Sequence, residues 1–121
     1  MTALATSARR LPVATPAGQA ADLKKLARQA GDAAQLLKLL GNEKRLLVLC
    51  FLAARGEMTV GEIVDVVNLS QSALSQHLGK LRADGLVTFR RTSQTLHYRV
   101  VDKRALRVLQ VLKEIYCGNL K

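Results

Sequence analysis

The sequence predicts a mainly α-helical domain carrying one β-hairpin, and three observations predict it. Apolar residues recur at helical spacing over residues 20–54 and 103–117. Within residues 59–84, two short helical stretches flank a tight turn. After Gly85 the apolar period changes from 3.6 to 2.

Residues 1–19 are small and polar, with Pro12, Pro16 and Gly18, and read as a disordered tail bearing Arg9 and Arg10. The folded domain is expected over 20–118. Its first helix runs from Ala20 to Leu40, with Leu23, Leu26, Ala27, Ala30, Leu37 and Leu40 at periodic positions. Gly31 weakens this helix, and Gly41 ends it in the C′ role. Asn42 caps a second helix through Ala54, with Glu43 in the first turn, where the helix dipole favours an anion. Leu46 to Leu52 is apolar on every face, which predicts a helix in the middle of the domain. Gly56 stops it.

Thr59 and Glu62 have capping-box spacing, each side chain able to satisfy an orphan amide beside the other. They open a short helix to about Val67. Ser70 caps the next helix, Gln71 to Asp84, which Gly85 closes. Two β-branched and aromatic runs, Leu86–Thr92 and Thr95–Val101, form a hairpin across Ser93-Gln94. Asp102 then caps a last helix, Lys103 to Cys117. Helix, helix, helix-turn-helix, hairpin, helix is the order of a winged helix-turn-helix.

Composition narrows the function. The 121 residues suit one domain, and 49% hydrophobic content supplies a modest core without structural metal or disulfides. Nineteen Lys and Arg against nine Asp and Glu give a net charge of +10 and point to a polyanionic partner. Aromatics at 3% argue against a single-strand binder built on stacked bases. No apolar leader opens the chain, and its longest apolar run, Leu46–Ala54, falls well short of the ~20 residues that span a bilayer. The chain therefore reads as cytoplasmic and without a membrane partner. In that reducing compartment Cys50 and Cys117 are either inert or a switch.

In a helix-turn-helix the second helix enters the major groove of double-stranded DNA. Ala73, Leu74, Leu78 and Leu81 share its packing face, leaving Gln71, Ser72, Ser75, Gln76 and Lys80 outward, with His77 in the same segment. Gln pairs bidentately with adenine, and Ser donates or accepts. A solvated helix face would be rich in Lys and Glu; this one is nearly uncharged. The hairpin adds Arg90, Arg91 and Arg99 for the flanking backbone or minor groove. Residues 80–121 hold ten Lys and Arg against three Asp and Glu, so most of the excess charge lies there. Lys103, Arg104 and Arg107 fit plain solubility charge equally well.

The segments Leu39-Leu40-Gly41-Asn42-Glu43-Lys44-Arg45-Leu46, Thr59-Val60-Gly61-Glu62-Ile63 and Leu69-Ser70-Gln71-Ser72-Ala73-Leu74-Ser75-Gln76-His77-Leu78 resemble the ArsR/SmtB family of bacterial repressors. The resemblance covers about residues 33–117. It implies a homodimer joined through the first and last helices, operator binding in the resting state and release when an inducer acts. Val108 and Val111 widen the apolar surface of the last helix beyond what one packing partner requires, which agrees with a dimer. Such a dimer reads an inverted repeat with half-sites ~34 Å apart.

Many members of that family sense metals, and here the sequence departs from them. A single cysteine stands in Leu49-Cys50-Phe51, and no His lies between Lys103 and Cys117. A zinc site would have to gather Cys50, Cys117, His77 and His97 from the central helix, the last helix, the recognition helix and the wing. No metal or other cofactor is expected. The placement of Cys50 and Cys117 resembles the persulfide- and redox-responsive branch of the family. That likeness implies that reactive sulfur species or oxidants link the two thiols, directly or through sulfur, and release DNA from genes of sulfide and sulfur detoxification. Cys50, in an apolar run, is expected to ionise reluctantly; Cys117 ends a helix whose dipole opposes a thiolate, with Lys113 to offset it. The competing readings are a metal-responsive repressor, a sequence-nonspecific architectural DNA binder and a small thiol enzyme. The last lacks a CxxC, a glycine cradle and an acid/base pair.

Overall fold

A computed structural model describes residues 16–118, with side chains from residue 20 onward. The described residues divide into two compact units, one up to residue 34 and one from residue 35 onward. Helix α1, Pro16–Leu40, begins in the first unit and ends in the second. It starts four residues earlier than the tail assigned to 1–19 allows. Pro16 stands at its first position, where a missing N–H costs nothing and the fixed φ is already helical. Residues 1–15 of that tail, and Arg9 and Arg10 with them, lie outside the described residues.

The second unit carries α2 (Glu43–Arg55), β1 (Met58–Thr59), α3 (Val60–Val66), α4 (Gln71–Ala83), β2 (Val87–Thr92), β3 (Thr95–Val100) and α5 (Lys103–Tyr116). The winged helix-turn-helix is present. Its caps are those legible in the residues. Asn42 accepts from the amides of Lys44 and Arg45, and Ser70 from that of Ala73. Asp102 accepts from Arg104 and Ala105. Thr59 and Glu62 complete both halves of the capping box, at 3.2 and 2.8 Å.

Gly41 departs from its expected role. Its φ is not positive; a Cβ there would lie 3.1 Å from the carbonyl oxygen of Leu37, so glycine serves close approach rather than a left-handed turn. Gly85, at φ +80°, does take the left-handed turn after α4.

The sheet has three strands in the order β1-β3-β2, all antiparallel. The two-residue β1 is too short to leave a periodic signal, and the sequence reading missed it. Thr92 pairs with Thr95 across a two-residue turn in which Ser93 takes φ +58°. A positive φ at the first central residue matches the right-handed twist of hairpin strands. The core joins Leu36, Leu39 and Leu40 of α1 to Val48, Leu49 and Leu52 of α2, Leu74, Leu78 and Leu81 of α4, and Tyr98 of β3. Each fully buried leucine contributes roughly 1.5–3 kcal/mol.

Candidate nucleic-acid interface and thiol groove

Leu74, Leu78 and Leu81 are all at most 1% exposed, which pins α4 and fixes which face it turns outward. Gln71, Ser72, Ser75, Gln76 and Lys80 are exposed on that helix as its periodicity requires. Lys80 is paired with Asp84 at 3.3 Å, one turn on. His77 is only half-exposed. Burial and the neighbouring Arg45 hold its pKa below the ordinary value.

The wing lies against the end of this helix through aromatic contacts. The Arg82 guanidinium sits 4.3 Å from the Phe89 ring centroid, and Phe89 meets Tyr98 edge-on at 5.3 Å. These contacts tie β2 and β3 to the last turn of α4, so the hairpin and the recognition helix are presented together. Arg91 and Arg99 are exposed on the wing and form no ion pair among the described residues.

Arg90 is different. Its Nε donates to both carboxylate oxygens of Glu57, at 3.0 and 2.9 Å, and a terminal nitrogen reaches Oε1 at 2.9 Å. Arg90 is thus already engaged by a carboxylate of the chain itself. Glu57 was not among the residues singled out from sequence, because 33 positions separate it from its partner.

A second feature lies between α2 and α5. An apolar groove of about 720 Å³ opens there, walled by Leu46, Leu47 and Phe51 on one side and Leu106, Leu109 and Leu112 on the other. Cys50, Cys117 and Lys113 all line it. Both thiols are free; Cys50 is half-buried, and Cys117, the C-cap of α5, is exposed. Burial pushes the Cys50 thiol above its ordinary pKa, and negative charge on Cys117 pushes it the same way. Leu47 is exposed on α2, and Leu106, Val111, Ile115 and Tyr116 on α5. The central helix is therefore not covered on every side.

Among the described residues, no group of three or more His, Cys, Asp or Glu comes together to hold a metal, and no helix is long and apolar enough to cross a membrane.

Comparison with known proteins follows the same lines. The sequence profile of the bacterial regulatory proteins of the arsR family matches residues 42–88. The transcriptional activator HlyU of Vibrio cholerae serotype O1 is 40% identical over 100 residues, 83% of this chain and 92% of that one. The structure of reduced HlyU from Vibrio cholerae superposes with a TM-score of 0.73 at 40% identity, covering 78% of this chain and 99% of that chain. The transcriptional repressor BigR of Xylella fastidiosa gives a TM-score of 0.73 at 34% identity, covering 79% and 97%.

Proposed function

This chain belongs to the arsR family of bacterial regulatory proteins, and on that premise we propose a repressor whose grip on its operator is loosened when Cys50 and Cys117 are covalently joined. The family supplies DNA as partner and transcription as the process regulated, and its members compared above are regulators rather than enzymes. The observation that carries the thiol reading is the groove: two cysteines 67 positions apart in sequence line the same apolar space.

Cys117, exposed at the end of α5, meets the donor first. Its thiolate attacks the outer sulfur of a persulfide R–S–SH, forming Cys117–S–SH and releasing the thiolate R–S⁻. The Cys50 thiolate then attacks Cys117 Sγ, forming the disulfide and expelling HS⁻. Two thiol electrons have reduced one sulfane sulfur to sulfide. Where the Cα atoms stand farther apart than about 7 Å, the Cys117–S–S⁻ anion takes the outer sulfur of a second R–S–SH, releasing a second R–S⁻, and Cys50 attacks the middle sulfur of Cys117–S–S–SH, expelling HS⁻ and leaving one sulfur between the two cysteines. Sulfide and sulfur detoxification genes suit a regulator with this trigger.

A second copy of the chain covers the apolar surface of α5. Val111, Ile115 and Tyr116 are 42, 53 and 80% exposed, more than an isolated helix needs to leave open. The homodimer sets two α4 helices ~34 Å apart on an inverted repeat. Gln71, Ser72, Ser75 and Gln76 read base edges, with His77 and Lys80 flanking them; Arg91 and Arg99 meet the backbone beside the site. A bridge between α2 and α5 shifts the closing helix and with it the spacing of the pair. A tenfold loss of affinity needs only about 1.4 kcal/mol of such strain.

The test is binding to an operator selected by the reduced protein from a random-sequence duplex library. Treatment with a persulfide donor is expected to lower affinity at least tenfold, and Cys50→Ser to remove the response. Equal affinity before and after treatment, with the bridge confirmed by intact mass, defeats the proposal.

A further inference from the structure

Residues 86–101, the hairpin and its margins, contain three arginines and a histidine and no Asp or Glu. The counter-charge comes from outside the hairpin. Pairing places Thr59, His97 and Arg90 in one row across the three strands, while Met58, Tyr98 and Phe89 form the next row. Successive residues of a strand face opposite sides, so the second row turns inward, where Met58 and Tyr98 are buried, and the first turns outward. Glu57, one residue before β1, falls on the outward side with Thr59. From there its carboxylate meets the Arg90 guanidinium across β3, both oxygens accepting from Nε at 3.0 and 2.9 Å and Oε1 lying 2.9 Å from a terminal nitrogen. The Arg90 hydrogen bond above all, with the cationic surroundings of the wing, holds the Glu57 carboxyl below the usual carboxylate range.

A carboxylate that sets two oxygens against the edge of a guanidinium takes the place a phosphate would take there. We propose that Glu57 is a specificity-determining residue that occupies Arg90 as an internal stand-in for DNA phosphate, withholding one cation from non-specific duplex. The inference rests on the reading that the wing meets DNA. In the free protein Arg90 is neutralised. A phosphate displaces Glu57 only where the seated recognition helix brings the backbone into register; a loosely bound duplex does not hold one there. Both Arg90 and Glu57 are surface groups, so exchange of one partner for another is not blocked by burial. Glu57 thus weakens binding to random sequence more than binding to the operator, widening the ratio between them.

The experiment is a salt titration of binding to a 30-base-pair mixed-sequence duplex, followed by fluorescence anisotropy. Each phosphate contact adds about 0.9 to the slope of log affinity against log salt. Glu57→Gln, similar in shape and uncharged, is expected to steepen the slope by about that amount per protomer. Its advantage over the natural chain then grows about 3.5-fold per protomer as NaCl falls from 200 to 50 mM. On the selected operator the slope changes by less. In an Arg90→Gln background, Glu57→Gln should leave the slope where Arg90→Gln set it. An unchanged slope in Glu57→Gln overturns the proposal, and so does equal steepening with and without Arg90, which reports net charge alone. Arg91→Gln separates the two ideas. If it flattens the slope while Glu57→Gln does nothing, the wing meets DNA and the stand-in role is wrong. If neither Arg91→Gln nor Arg90→Gln alters the slope, the wing reading itself fails.

Discussion

The reading head and the thiol groove are built on opposite plans. Around α3, α4 and the wing, nearly every demand of the chain is met within the unit. The capping box closes α3, Ser70 caps α4, three leucines at most 1% exposed pin α4, and Arg82 lies over Phe89. Between α2 and α5 the demands are left open. Leu47, Leu106, Val111, Ile115 and Tyr116 are exposed, a groove separates the helices, and two unbonded thiols line it. A surface that reads sequence must be rigid, because misplacing a hydrogen-bonding group forfeits the contact. A surface that responds must be incomplete, because a fully packed interface offers no second arrangement.

The contrast is broken or sharpened by substitution. Leu78→Ala, in the closed half, is expected to cost 2–5 kcal/mol of unfolding free energy in urea denaturation. A loss under 1 kcal/mol contradicts a packed reading head. Next in size is the proposed thiol response: Cys117→Ser is expected to lose the tenfold or greater effect of persulfide, about 1.4 kcal/mol of coupling, while the operator affinity of the reduced protein stays the same.

Asp102→Ala, which uncaps α5, should cost about 1 kcal/mol. Asp102→Asn keeps the cap and isolates the charge. The Arg104 hydrogen bond holds the Asp102 carboxyl below its ordinary value of 3.8. A depressed folded-state pKa stabilises above the unfolded value, and that contribution is lost as pH falls through the folded one. The natural chain should therefore lose more stability than Asp102→Asn when denaturation is followed from pH 5 down to pH 2. Smallest is Val111→Gln on the open face. It is expected to alter the intrinsic stability of the chain by less than about 0.5 kcal/mol, yet to weaken self-association in sedimentation equilibrium. Matching penalties for Leu78→Ala and Val111→Gln would erase the distinction between the two halves.

Most of the reading head was legible because its signals are local. A hydroxyl three residues before a carboxylate, or a leucine every three or four positions, states its consequence within one turn of helix. Those signals located Asn42, Thr59, Ser70 and Asp102 as caps and turned Gln71, Ser72, Ser75 and Gln76 outward. The misses were of another kind. β1 exists only by pairing with β3, and Gly41 answers to the carbonyl of Leu37 rather than to a left-handed turn. The partner of Arg90 is not legible because Glu57 lies 33 positions away in sequence.

What the residues settled alone was the order of the helices and the hairpin, most of the helix caps, the winged helix-turn-helix and a strongly cationic chain. Periodicity, caps and charge act over a few residues or simply add, so folding does not change them. Which side chains meet was decided only by packing: the sulfurs on one groove, Glu57 on Arg90, Arg82 on Phe89. Those meetings depend on how helices and strands far apart in the chain are brought together, and that geometry is fixed only once a shared core is buried.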